Sequence, residues 1–124
     1  MKVLVVEDNA ASVDLLSTRL RNLDCQVLVA MNLEDAMHLA TDEAPDLILL
    51  DLKLGHTLSS GTQLLAELRM TPETAHIPVI IHSIYLERAG DMPEAEALAN
   101  GHLLKPFKFD DLKKIIAGFQ SAVR

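Results

Sequence analysis

Five residues scattered along this chain offer chemistry: Glu7, Asp8, Asp51, Ser83 and Lys105. Each lies at or just past the end of a short aliphatic run. The plainest run is Leu47-Ile48-Leu49-Leu50, which has no polar face and ends abruptly on Asp51. A strand without a polar face is buried on both sides, as in the centre of a parallel sheet covered by helices. Taken alone, Asp51 reads as a turn starter. The second acidic strand end, Glu7-Asp8 after Val3-Leu4-Val5-Val6, changes that weighting. Three carboxylates within a few ångströms repel one another unless a cation intervenes. Hard oxygen donors with room for water describe a Mg²⁺ site. The same set without cysteine or paired histidine argues against zinc. Mg²⁺ and Lys105 together would make a socket for a phosphoryl group on Asp51, with Ser83 donating a hydrogen bond.

The surrounding elements must bring these residues to one place. Val3–Val6, Gln26–Ala30, the run ending at Asp51, Pro78–Ser83 and His102–Leu104 read as five strands. Pro78 suits a first strand position, where a missing N–H is tolerated. Val13, Leu16, Leu20 and Leu23 share one helical face after an Asn9 or Asp8 cap, and Asn32 opens a second helix that runs to about Asp42. Leu64, Leu65 and Leu68 mark a third helix that stops near Thr71-Pro72. Ala95–Ala99 suggests a short fourth helix with Gly101 as its stop, and Leu112, Ile115, Ile116 and Phe119 mark a fifth. Strict alternation of strand and helix predicts an α/β fold, a doubly wound parallel sheet with helices on both faces. In the flavodoxin-like order 2-1-3-4-5, strands 1 and 3 meet at the switch point and set Glu7 and Asp8 beside Asp51.

Composition narrows the classes. The 124 residues suit one domain spanning 1–124, and 49% hydrophobic content suits a packed core. Aromatics make up only 3%, so that core is aliphatic. A net charge of −7 disfavours direct nucleic-acid binding. Cys25 stands alone, and Glu7-Asp8 cut the first apolar run too early for a signal peptide. No run approaches a membrane span, so the expectation is a cytoplasmic protein. His38, His56, His76, His82 and His102 have no metal-motif spacing and read as surface or partly buried residues.

The runs Val3-Leu4-Val5-Val6-Glu7-Asp8-Asn9, Asp46-Leu47-Ile48-Leu49-Leu50-Asp51-Leu52, Pro78-Val79-Ile80-Ile81-His82-Ser83 and Leu104-Lys105-Pro106-Phe107 occur in the order and spacing of one family. Over essentially its whole length the chain resembles a receiver domain of the two-component response regulators, of the stand-alone type. The resemblance implies that Asp51 accepts a phosphoryl group from a histidine kinase, a phosphotransfer protein or a small phosphodonor. It implies Mg²⁺ held by Asp8, Asp51 and the Lys53 backbone carbonyl, with Glu7 assisting directly or through water. Lys105 would contact the phosphate, ahead of a peptide bond to Pro106 that can be cis. Switching would involve Ser83 and change the surface of the fourth helix, fifth strand and fifth helix for a downstream protein partner. A homodimer is compatible with this picture.

Three departures qualify the resemblance. The loop after Asp51 has Gly55 where the family has Pro, and its closing Gly61 comes two residues late, which makes the loop longer and more mobile. Ile84 stands where a small residue is usual and should shield a phosphoryl group from water. His102 replaces the aromatic switch ring, either turning as that ring does or staying a plain strand-edge residue. Other classes fit less well. A haloacid-dehalogenase-like phosphohydrolase needs a second carboxylate at Lys53, and a flavodoxin needs a phosphate-cradling loop where Glu7 and Asp8 stand. A phosphorylation-independent scaffold leaves the intact Glu7, Asp8, Asp51, Ser83 and Lys105 without a task.

Overall fold

A computed structural model describes residues 1–53, 59–83 and 97–123, with the side chains of 59, 60 and 121–123 left aside. The elements are β1 (Lys2–Val6), α1 (Ala10–Asn22), β2 (Gln26–Ala30), α2 (Leu33–Glu43) and β3 (Leu47–Leu50). They continue as α3 (Ser59–Met70), β4 (Val79–Ser83), β5 (Gly101–Leu104) and α4 (Phe109–Val123). The five strands form one parallel sheet in the order β2-β1-β3-β4-β5, the flavodoxin-like arrangement that the alternating pattern predicts.

Side chains alternate across this sheet and divide the core in two. Leu4, Val6, Ile48, Leu50, Val79 and Ile81 face α2 and α3, where they meet Ala36, Ala40, Leu64, Leu65 and Leu68. Val3, Val5, Leu47, Leu49, Ile80 and Leu103 face the other way, onto Leu16 and Leu20 of α1 and Leu112 and Ile116 of α4. All four residues of β3 are buried, which explains why its sequence never alternates. Each fully buried leucine contributes about 2 kcal/mol of transfer free energy.

Local chemistry sets the helix ends. Asn9 accepts a hydrogen bond from the Ser12 backbone N–H and caps α1, while Asn32 does the same for Asp35 at the start of α2. Ala44 ends α2 in the left-handed region at φ 46°, and Pro45 follows. At the end of α3, Arg69 gathers several carbonyls. Its Nε donates to Leu98 O at 3.0 Å, Nη1 to Ile77 O at 2.7 Å and to Ala75 O at 3.2 Å, and Nη2 to Asn100 Oδ1 at 2.9 Å. Asn100 Oδ1 also accepts from the Val79 N–H, so one guanidinium ties α3 to the entries of both β4 and β5.

One expectation needs adjustment. Gly101 is not a helix stop but the first residue of β5, paired with Ile80, because Asn100 already turns the chain through its bond to Val79 O. Of the stretch read as a fourth helix, Ala97 and Leu98 are helical and the remainder of 84–96 lies outside the described residues, as do Gly55 and Ile84. No helix among the described residues is long and apolar enough to cross a membrane.

Candidate functional site

The register carries the acidic residues together. Val6 pairs with Leu50, so β1 and β3 end side by side, and the Asp51 N–H donates to Val6 O at 2.9 Å. Glu7, Asp8 and Asp51 each present a carboxylate oxygen within 4.8 Å of the others. Glu7 and Asp51 are buried, at 1% and 6% exposure, whereas Asp8 is open to solvent. One inner wall and one open side suit a cation that keeps part of its water. The donors are hard oxygens from three carboxylates with no sulfur or imidazole among them, which fits Mg²⁺.

Lys105 reaches this cluster from the end of β5. Its Nζ lies 2.6 Å from Glu7 Oε2 and 3.1 Å from Asp51 Oδ2, donating to both. The peptide bond between Lys105 and Pro106 is cis. The other oxygens are held by the backbone: Asn9 N–H donates to Glu7 Oε1 at 3.2 Å and Lys53 N–H to Asp51 Oδ1 at 3.0 Å. Burial pushes the Glu7 carboxyl above its ordinary value, Lys105 opposes that, and the Asp51 charge adds to it. Burial alone would lower the Lys105 ammonium, but hydrogen bonds and charges from Glu7 and Asp51 outweigh it and raise the pKa.

The remaining sequence candidates fall in different places. Ser83 ends β4 at 1% exposure, and Lys53 is an exposed residue whose N–H serves Asp51. Gly61 packs directly onto the exit from β3, its N–H donating to Leu52 O at 3.0 Å. A Cβ there would sit 2.3 Å from Leu52 Cα and 2.8 Å from Asp51 O, so only glycine lets α3 come this close. His102 is exposed on the edge strand, opposite Ile81, and is not gathered into the acidic cluster.

His82 departs from its sequence expectation. His82 is 3% exposed, not a surface or partly buried histidine, and neither ring nitrogen has a hydrogen-bond partner among the described residues. Burial first, and then the Lys105 charge, lowers its pKa to about 4. The available signal was its place inside the aliphatic run Val79–Ser83, where every neighbouring position is buried.

A doubly wound sheet with an acid cluster and a lysine at its carboxyl edge defines a class, and comparison with known proteins names it. The response regulator receiver domain model matches residues 3–117, and the chain belongs to that family. It is 30% identical to sporulation initiation phosphotransferase F of Bacillus subtilis over 115 residues, covering 93% of this chain and 90% of that protein. It is 29% identical to the phosphate regulon transcriptional regulatory protein of Pseudomonas aeruginosa, covering 98% of this chain but only 51% of that longer protein. Among solved structures it is similar to the receiver domain of a sensor histidine kinase from Pseudomonas aeruginosa PAO1, which has a magnesium ion coordinated in its active-site cleft. That match has TM-score 0.84 and 26% identity, and covers 95% of each chain. The chain is therefore a member of a family of signalling domains of two-component systems.

Proposed function

We propose that this chain is a phosphorylation-dependent switch in which Asp51 accepts a phosphoryl group from a histidine kinase, a phosphotransfer protein or a small phosphodonor. The observation that carries this reading is the Lys105 ammonium bonded at once to Glu7 and Asp51, with Asp8 completing the oxygen cluster. An Asp51 oxygen attacks phosphorus as the bond to the donor's leaving atom breaks, and a phosphohistidine donor leaves as imidazole after taking up a proton. The Lys53 N–H fixes one Asp51 oxygen and so orients the other. Lys105 remains protonated and meets the charge on the transferring oxygens. Glu7, Asp8, Asp51 and the Lys53 carbonyl would hold Mg²⁺, which when bound neutralises phosphoryl charge.

The bound phosphoryl group carries up to two negative charges in place of the single carboxylate charge, and biases the surface of β5, α4 and the segment before β5 toward a protein partner. Ser83 and His102 are the residues through which this bias would pass, Ser83 from inside the sheet end and His102 from its outer edge. In this reading residues 1–124 act as one receiver unit, catalysing only their own phosphoryl transfer and its reversal.

Incubation with acetyl phosphate and Mg²⁺ followed by intact mass measurement tests the proposal. One added phosphoryl group on the wild type and none on Asp51→Asn is the expected result. An unlabelled wild type would leave a phosphorylation-independent scaffold, and multiple turnover of phosphomonoesters would point to a hydrolase. Ile84→Ala should shorten the lifetime of the labelled form several-fold in the same assay, by opening a path for water; an unchanged lifetime removes that role.

A further inference from the structure

Helices α2 and α3 leave a groove between them, on the sheet face opposite α1 and α4. Its volume is about 490 Å³. Leu33 and Met37, half-buried against the core, form an apolar floor. Glu34 and Asp42 of α2 and Glu67 of α3 are exposed along its rim, and His38 and Thr41 complete the α2 wall. No lysine or arginine lines the groove among the described residues, and none of the three rim carboxylates has an ion pair among them. Asp42 is also poorly placed within its own helix. An α-helix ends in negative partial charge, so an acid in the last turn is unfavourable and a cation there is stabilising. The last turn of α2 has no basic residue. Its neighbour Glu43 is answered by Lys2, whose Nζ lies 3.7 Å from Oε1 and donates to the Glu43 carbonyl at 3.0 Å. Asp42 has no such cation, and one brought by a partner would offset both its charge and the helix end.

The spacing of these residues constrains the partner. Leu33, Met37 and Thr41 recur every fourth position, so the groove runs along α2 rather than across it. From Leu33 to Asp42 the helix rises about 13 Å, which matches about two and a half turns of a second helix. An apolar cavity of roughly 150 Å³ accommodates benzene, so this groove has room for two or three aliphatic side chains. Methionine adapts its shape to whatever such side chains present. Aliphatic residues one turn apart with charged residues beside them are the pattern of an amphipathic helix. We propose that the groove between α2 and α3 docks a basic amphipathic helix of a partner protein, its aliphatic side chains on Leu33 and Met37 and its lysines or arginines on Glu34, Asp42 and Glu67. This surface is on the other face of the sheet from α4 and does not rest on the phosphoacceptor reading.

The test is a titration of the Mg²⁺-free full chain with a synthetic helix of about 14 residues, leucine at every third or fourth position and lysine beside it, followed by amide NMR. Saturable shifts centred on Leu33, Met37, Asp42 and Glu67 are expected, with a dissociation constant of about 100 μM or tighter. The same peptide with serine for leucine, or with glutamate for lysine, should bind roughly tenfold more weakly or not at all. Asp42→Lys and Glu67→Lys, both at exposed positions, should each weaken binding roughly fivefold. Asp14→Lys makes the same charge change at an exposed position of α1 and should leave binding unaltered. Absence of saturable shifts, equal binding of the serine peptide, or equal weakening by Asp14→Lys overturns the proposal, the last two reducing the effect to attraction between a basic peptide and a chain of net charge −7. Shifts at the same residues when the chain alone is concentrated would give the groove to a second copy and overturn it as well. Asp51→Asn should bind the peptide like the wild type, so failure of the phosphorylation reading and failure of this one remain distinct.

Discussion

An imidazole closed off from water between a sheet and a phenylalanine has consequences for pH. The His82 pKa falls from its ordinary 6.5 to about 4 in the folded chain. Between those values the unfolded chain takes up a proton that the folded chain refuses, so stability falls as pH drops through that window. The contribution of His82 is intact above pH 6.5 and by pH 4.5 has lost roughly 2 to 3 kcal/mol. Glu7 works in the opposite sense: its raised pKa favours the folded state's proton, so its effect weakens stability as pH rises above its ordinary value of 4.5. The test is therefore a difference measurement. Urea midpoints of the wild type should drop more between pH 7.5 and 4.5 than those of His82→Leu, and equal drops would mean that the ring is charged or solvated in the fold.

Which element ends come together was legible in the sequence wherever an aliphatic run stopped on a polar residue. Val3–Val6 and Leu47–Leu50 read as buried strands, and their acidic ends meet because parallel strands start and finish at common edges. The close approach of α3 to β3 was less legible. Gly61 reads in sequence as the late end of a long loop, yet it allows helix backbone to touch strand backbone beside Asp51. Gly61→Ala should cost about 2 to 4 kcal/mol, since its new Cβ meets backbone atoms that cannot swing aside. It should also lower acetyl phosphate labelling, because the displaced backbone belongs to Leu52 and Asp51. A variant with wild-type urea midpoint and labelling would show that the loop absorbs the change.

Across the whole molecule, the least legible facts are those fixed by distant partners. Glu7 and Lys105 are 98 positions apart, and only the completed sheet sets an ammonium 2.6 Å from that carboxylate. The burial of His82 follows from its strand, where every position is buried, but its ring contact with Phe107, 25 positions on, is set only by the fold. Gly101 likewise looked like a terminator because helices often end on glycine, whereas pairing with Ile80 enrols it in a strand. Local pattern thus fixes element types, and long-range contact fixes what each side chain meets.

The doubly bonded ammonium has one more implication. Three carboxylates against Lys105 leave the resting cluster with two formal negative charges, the match for a single divalent ion. Lys105→Met should therefore bind Mg²⁺ more tightly, roughly tenfold for the removal of one nearby cation, read as a larger magnesium-induced rise in melting temperature. The same variant should accept phosphate from acetyl phosphate slowly or not at all. Tenacity toward the ion and readiness for transfer would then part company at one side chain, which on the proposed reading would serve as placeholder before the reaction and as clasp afterwards.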